Sequence, residues 1–135
     1  MVRDGACGRM VQRRRASDRV RGGRAEELPA LEDVSIPDAA ETLWHCSDVT
    51  LRQVVARGDY FAMDCDGMQV DGLTLYGNYS FDGAKNVTIR NSRLLSKDAF
   101  WNSEDVTVVG SFISGEYLGW NAKNLTLIDC TIESL

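Results

Sequence analysis

The sequence predicts an all-β protein: a right-handed parallel β-helix wound in coils of 19 residues. Three observations carry this expectation. The chain repeats itself, since Trp101-Asn102-Ser103-Glu104-Asp105-Val106-Thr107-Val108 is echoed 19 residues later by Trp120-Asn121-Ala122-Lys123-Asn124-Leu125-Thr126-Leu127. Cuts at Ser47, Asp66, Lys85, Glu104 and Lys123 leave four successive intervals of 19 with no insertion or deletion, the regularity of a solenoid. No unit holds a helical stripe of apolar residues; each holds short runs of alternating apolar and polar residues rich in β-branched side chains.

The elements follow in order within each unit. A turn former stands at the second place: Asp48, Gly67, Asn86, Asp105, Asn124. The first strand comes next, with its apolar side chains inward: Val49/Leu51, Met68/Val70, Val87/Ile89, Val106/Val108, Leu125/Leu127. Gln53, Gly72, Asn91, Gly110 and Asp129 make a second turn. The second strand then turns Val54/Ala56, Leu73/Leu75, Leu94, Ile113 and Ile132 to the core. A third break falls at Gly58, Gly77, Ser96, Gly115 and Ser134. Asn, Asp and Gly recur at the turns because they tolerate left-handed backbone angles. Adjacent coils should stack at about 4.8 Å, and the crossover rule sets the right-handed sense. A leucine-rich repeat is the rival, but the triplet lacks its leading leucine. Leu31 to Cys46 reads as one more, less regular coil, for five to six in all.

Charge divides the chain. Residues 1–25 hold eight arginines against Asp4 and Asp18, a net charge of about +6 in a protein whose total is −5, so the rest is strongly acidic. Two segments result: an Arg-rich leader over 1–27 that fits no repeat, and the β-helix over 28–135. The leader lacks the interleaved aromatics of a nucleic-acid arm, and an acidic body repels nucleic acid, so no nucleic-acid partner is expected. No apolar run spans a membrane, no secretory signal opens the chain, and the expected compartment is the cytoplasm. There Cys7, Cys46, Cys65 and Cys130 should be reduced thiols; Cys46 and Cys65 stack one coil apart, within disulfide reach, with a thiol pair as the expected state. No cysteine spacing matches a metal site, and neither metal nor cofactor is expected. The last coil stops at 13 places without a cap, so the solenoid is expected to be incomplete at its C-terminus and to self-associate through open coil ends.

At "GDYFAMDC", "GNYSFDGAKNVTIRNSRLLSKDAFWNSEDVTV" and "GEYLGWNAKNLTLIDCTIESL" the sequence resembles bacterial proteins grouped as domain of unknown function 3737. The resemblance covers about Leu31 to Leu135. It implies a right-handed parallel β-helix similar to pectate-lyase-like proteins, and a chain that is a fragment of a longer one whose first residues depart from the family. The family has no assigned catalytic residues to carry over.

Any site is expected on the third side, the fourteenth to nineteenth places, where the chemistry changes from coil to coil. Its columns read Tyr60/Tyr79/Asp98/Tyr117, then Phe61/Ser80/Ala99/Leu118, Ala62/Phe81/Phe100/Gly119, Trp44/Met63/Asp82/Trp101/Trp120, and His45/Asp64/Gly83/Asn102/Asn121. A period of two would bury either Asp82 or Asp98, and the sequence does not choose between them. Tryptophans facing out would make a sugar-stacking strip from Trp101, Trp120, Tyr79 and Tyr117, flanked by Asp64, Asp82, Asp98 and Glu116. Tryptophans facing in would form an aromatic core stack, the commoner use of such columns. Two functions from different classes are therefore carried. One is a binding or structural solenoid presenting its ladder to a glycan or a protein. The other is a carbohydrate hydrolase or lyase using Asp82, Asp98 or Asp64 as a carboxyl pair, an analogy of fold alone. Both Asp82 and Asp98 are expected to reach solvent.

Overall fold

The computed structural model describes residues 30–134. Nine strands run in order: β1 (Ala30–Ile36), β2 (Ser47–Arg57), β3 (Asp66–Tyr76), β4 (Lys85–Arg90), β5 (Arg93–Leu95), β6 (Glu104–Val109), β7 (Phe112–Gly115), β8 (Lys123–Ile128) and β9 (Thr131–Ser134). Every pairing is parallel, and from β2 onward partners lie 19 residues apart, as in Val49↔Met68, Met68↔Val87, Val87↔Val106 and Val106↔Leu125. The described residues thus form a parallel β-solenoid of about six turns without a helix. The expected Arg-rich leader and Cys7 lie outside them.

The turn chemistry accounts for the coil shape. In β2 and β3 the chain bends through Gln53 (φ 52) and Gly72 (φ 79) while remaining one strand; in later coils the equivalents Asn91 (φ 51), Gly110 (φ 59) and Asp129 (φ 53) separate two strands. Asp48, Gly67, Asn86, Asp105 and Asn124 all have positive φ as well, so the residues chosen at these corners are those that pay least for left-handed backbone. Their side chains also form ladders: Asn86 Nδ2 donates to Asp66 Oδ1 at 2.8 Å, and Asn124 Nδ2 to Asp105 Oδ1 at 2.6 Å. At the third corner Gly77 is needed for space, since a Cβ there would fall on the carbonyl oxygen of Gly58. The irregular first coil has a simple cause. Ile36 pairs with Ala56, yet Ala39 N–H already bonds to Arg57 C=O, so the stretch around Pro37 holds one residue more than the coil above it.

The core is the inward face of the first two sides. Val49, Leu51, Val70, Leu75, Val87, Ile89, Leu94, Val106, Val108 and Ile113 are all buried, as expected. Leu125 and Leu127 are only partly buried, and Ile132 is 47% exposed, a correction to its expected core position: β9 is the outermost described strand and pairs on one side only. Further inside the second side, Ser92 and Ser111 are buried without an unmet bond. Ser92 Oγ accepts from Leu73 N–H and Ser111 Oγ from Ser92 N–H, each at 3.0 Å.

On the third side neither period-two register holds. The pattern is out at place 14, in at 15 and 16, out at 17 and 18, and in at 19. Places 14, 16 and 18 all take left-handed backbone, at Tyr60, Ala62 and Asp64, at Tyr79, Phe81 and Gly83, and at Asp98, Phe100 and Asn102. Alternate left-handed residues cancel the pleat that makes side chains alternate. Such angles are unfavourable for large side chains, by about 1–2 kcal/mol each. Backbone hydrogen bonds offset this: Tyr79 N–H donates to Lys97 C=O, Phe81 N–H to Phe61 C=O and Gly83 N–H to Trp101 C=O, binding each coil to both neighbours. The two inward places share one volume per coil, with one large and one small residue: Leu43 with Thr42, Phe61 with Ala62, Phe81 with Ser80, Phe100 with Ala99. The core does contain an aromatic stack, but it is made of phenylalanine. Phe81 lies 5.4 Å from Phe100 in near-parallel contact and 6.2 Å from Phe61 edge-on.

The cysteines correct another expectation. Cys46 is disulfide-bonded, whereas Cys65 and Cys130 are free, so Cys46 and Cys65 are neither a thiol pair nor a bond to each other. The buried Cys65 thiol donates to Leu43 C=O, and desolvation pushes its pKa from the ordinary 9.0 up to about 12.

Val108→Asp should abolish cooperative melting by circular dichroism, because an unpaired carboxylate in this core costs more than the marginal stability of a domain, about 5–15 kcal/mol, can absorb together with the lost packing. The Cys65 thiol predicts an alkaline limit. Its raised value means that the neutral form stabilises the fold fully below pH 9 and that this contribution is lost as pH climbs toward 12. Melting temperatures measured across that window should fall more steeply for the parent than for Cys65→Ala; parallel curves would show that the thiol does not matter. At neutral pH a thiol reagent should label Cys130 well before Cys65.

Candidate functional site

The out-in-in-out-out-in pattern places the third side's tyrosines and tryptophans on one outer face. Trp44, Tyr60, Tyr79 and Trp101 are half-buried, while Trp120 is 59% and Tyr117 70% exposed. Five of these rings are in unbroken contact along the solenoid. Trp44 meets Tyr60 edge-on at 6.5 Å, Tyr60 stacks on Tyr79 at 4.8 Å and 9°, Tyr79 meets Trp101 edge-on at 5.9 Å, and Trp101 leans on Trp120 at 5.0 Å. The alternative of tryptophans filling the cylinder is therefore not what the fold builds. Two indoles are pinned by their polar edge. Trp44 Nε1 donates to Tyr60 C=O at 2.6 Å and Trp101 Nε1 to Tyr117 C=O at 2.7 Å, each reaching one coil onward. An indole fixed in this way presents a ring without losing rotamer freedom when a partner arrives.

The carboxylates border the strip separately and do not form one cluster. Asp64 faces His45, Nδ1 to Oδ2 at 3.8 Å, with both side chains about half exposed. Its carboxylate also occupies the space that a side chain on Gly83 would need, which explains the glycine above it. Asp82 accepts from Asn102 Nδ2 at 2.9 Å, and Asn102 Oδ1 accepts from Asn121 Nδ2 at 2.7 Å, so a polar ladder runs beside the tryptophans. Glu116 pairs with Lys97 at 3.1 Å, and this bond is the first cause of the raised Lys97 pKa. Asp98 differs from the rest. It is only 8% exposed, a correction to the expectation that it reaches solvent, and its Oδ1 is buried without a hydrogen-bond partner. It takes the tyrosine place in its coil, between Tyr79 and Tyr117, and its negative charge is the first cause of the raised Tyr79 pKa.

Residues 19–135 match the family described as Protein of unknown function (DUF3737). The chain belongs to this family. The match begins upstream of the Leu28 boundary that the repeat suggests. A search of curated proteins finds no match to this chain.

Among the described residues no group of three or more His, Cys, Asp or Glu is placed to hold a metal ion, and no helix is long and apolar enough to cross a membrane. The first side has a hollow of about 290 Å³ lined by Thr50, Arg52, Gln69, Asp71 and Arg90 among others. Two of its polar groups are already engaged, Arg52 with Glu32 and Asp71 with Asn91, and it has no aromatic wall. The third side is the better candidate. Of the expected residues, the fold brings Tyr79, Trp101 and Trp120 into one strip, sets Tyr117 beyond the gap left by Asp98, and puts Asp64, Asp82 and Glu116 along the edges. It adds Trp44, Tyr60 and Lys97. The first two could have been found from the column registers, because each shares a column with a residue already singled out.

Asp98→Asn removes a charge whose Oδ1 is buried without a hydrogen-bond partner. It should stabilise the fold by about 1 kcal/mol, raising the melting temperature by about 4 °C. Ultraviolet titration should show a tyrosine transition moving to lower pH as Tyr79 loses its anionic neighbour. A destabilised Asp98→Asn with unchanged tyrosine titration would mean that the carboxylate is a structural strut.

Proposed function

We propose that the DUF3737 chain is a binding solenoid whose third side takes a carbohydrate chain along its aromatic strip. The observation that carries this reading is the unbroken row of five outward rings from Trp44 to Trp120. A long apolar row on a protein surface marks an interaction site. Tyr60 and Tyr79 cover each other's facing sides, so the exposed Trp120 indole is the ring that offers a face to the C–H side of a sugar, and bordering carboxylates and amides accept and donate to hydroxyls. A row running up the solenoid axis suits an extended polymer better than a compact ligand. The enzymatic alternative requires two carboxyls flanking one glycosidic bond. Asp98 is nearly buried and Asp82 is tied to Asn102, which supports a platform over a catalytic cleft.

Affinity electrophoresis through gels containing soluble polysaccharides tests the proposal. Retardation should occur and should weaken about tenfold in Trp120→Ala, the loss of roughly 1.5 kcal/mol of apolar contact, with the melting temperature nearly unchanged because that ring is largely exposed. Retardation insensitive to Trp120→Ala would move the site elsewhere. Release of reducing ends or unsaturated products would favour the enzymatic alternative.

A further inference from the structure

We propose that the strip selects an uncharged, hydroxyl-rich glycan and rejects uronic-acid polymers. This inference rests on the binding role proposed above and names its substrate class. The thirteenth place and the third side together carry Asp59, Asp64, Asp82, Glu116 and the nearly buried Asp98 against one lysine, Lys97. That lysine is already neutralised by Glu116 at 3.1 Å. His45, at the far end, faces Asp64. Among the described residues the places beside the rings therefore carry a net negative charge, and the next cations, Lys85 and Lys123, stand at strand starts on either side of Glu104 in their column. A polyanion laid along the strip would bring like charges together, an arrangement that selects against such partners.

The buried carboxylate of Asp98 adds to the same negative field. Asp98 is more than nine-tenths buried in the gap of the tyrosine column, and its Oδ1 has no donor from the protein. The gap already holds a negative charge, felt by the neighbouring Tyr79 phenol. A uronate would bring a further negative charge against it. The ladder of Asp82, Asn102 and Asn121 is preorganised in the same sense, because its internal bonds hold Asp82 as an acceptor at the edge of the tryptophans.

The test runs the full chain through gels containing a neutral xylan or β-glucan and, in parallel, polygalacturonate. It is done at about 10 mM salt, where the screening length is about 30 Å and charge repulsion acts over the whole strip. The neutral polymers should bind at least about tenfold more tightly than polygalacturonate, and the triple variant Asp64→Asn/Asp82→Asn/Glu116→Gln, which also frees Lys97, should improve polygalacturonate binding by about tenfold. Equal or tighter binding of polygalacturonate that is lost in Trp120→Ala would overturn the charge selection while leaving the strip as the site. Absence of that gain in a folded triple variant would likewise overturn it. Failure of every polymer to bind would remove both the strip reading and this inference.

Discussion

The structure depends on one constraint: each coil must lie on the next in strict register so that its backbone hydrogen bonds point up and down the solenoid axis. Tyr79 donates to the coil above and Phe81 to the coil below; Asp98 and Phe100 do the same one coil later. A parallel coil has no hairpin partner within itself, so these intercoil bonds must satisfy its buried backbone groups. One extra residue in a coil forces a local irregularity, as around Pro37. From Ser47 onward the 19-residue interval admits none.

Register turns every surface into columns, and columns give single residues consequences above and below themselves. Gly77 leaves room for the Gly58 carbonyl, and Gly83 for the Asp64 carboxylate. Phe81 fits because its coil has Ser80 rather than a second large residue, and Ser80 is itself satisfied by Ser96 Oγ at 2.8 Å. The same logic builds the aromatic strip. Coil stacking near the thickness of a ring brings Tyr60 and Tyr79 face to face, and an indole too wide for one coil bridges to the backbone of the next. Asp98 interrupts a column that otherwise holds tyrosine, giving up aromatic contact and leaving an acceptor unmet. Local inconsistency of this kind in an otherwise consistent solenoid concentrates where a surface serves something besides folding.

Under the proposed binding role, the strip presents its site as a surface row of rings. Its rings are half-buried by their own neighbours, which limits the entropy they lose on binding. The bordering acids are held by His45, Asn102 or Lys97 rather than by one another. The result is an extended surface of fixed geometry and negative sign. Under the proposed binding role, that combination suits a long, flat, uncharged partner.

The sequence by itself determined the repeat length, the all-β class, the corner residues and the inward faces of the first two sides. Val49 and Leu51 recur as Val106 and Val108, and Asp48 as Asn86, because period-two strands and left-handed turns leave direct signatures in residue type. Only the tertiary structure decided the third side. There Tyr79, Phe81 and Phe100 take backbone angles that their residue types ordinarily avoid, so no propensity announces them. The pleat is lost, and a choice framed between two alternating registers had no correct member: Ser80 and Phe81 both turn inward, while Trp101 stays outside and Asp98 sinks into the gap between two tyrosines. Those angles are stabilised by hydrogen bonds to residues 18 or 20 places away, as in Tyr79 to Lys97 and Phe81 to Phe61. A local reading of the chain does not contain that partner, and stacking the coils supplies it.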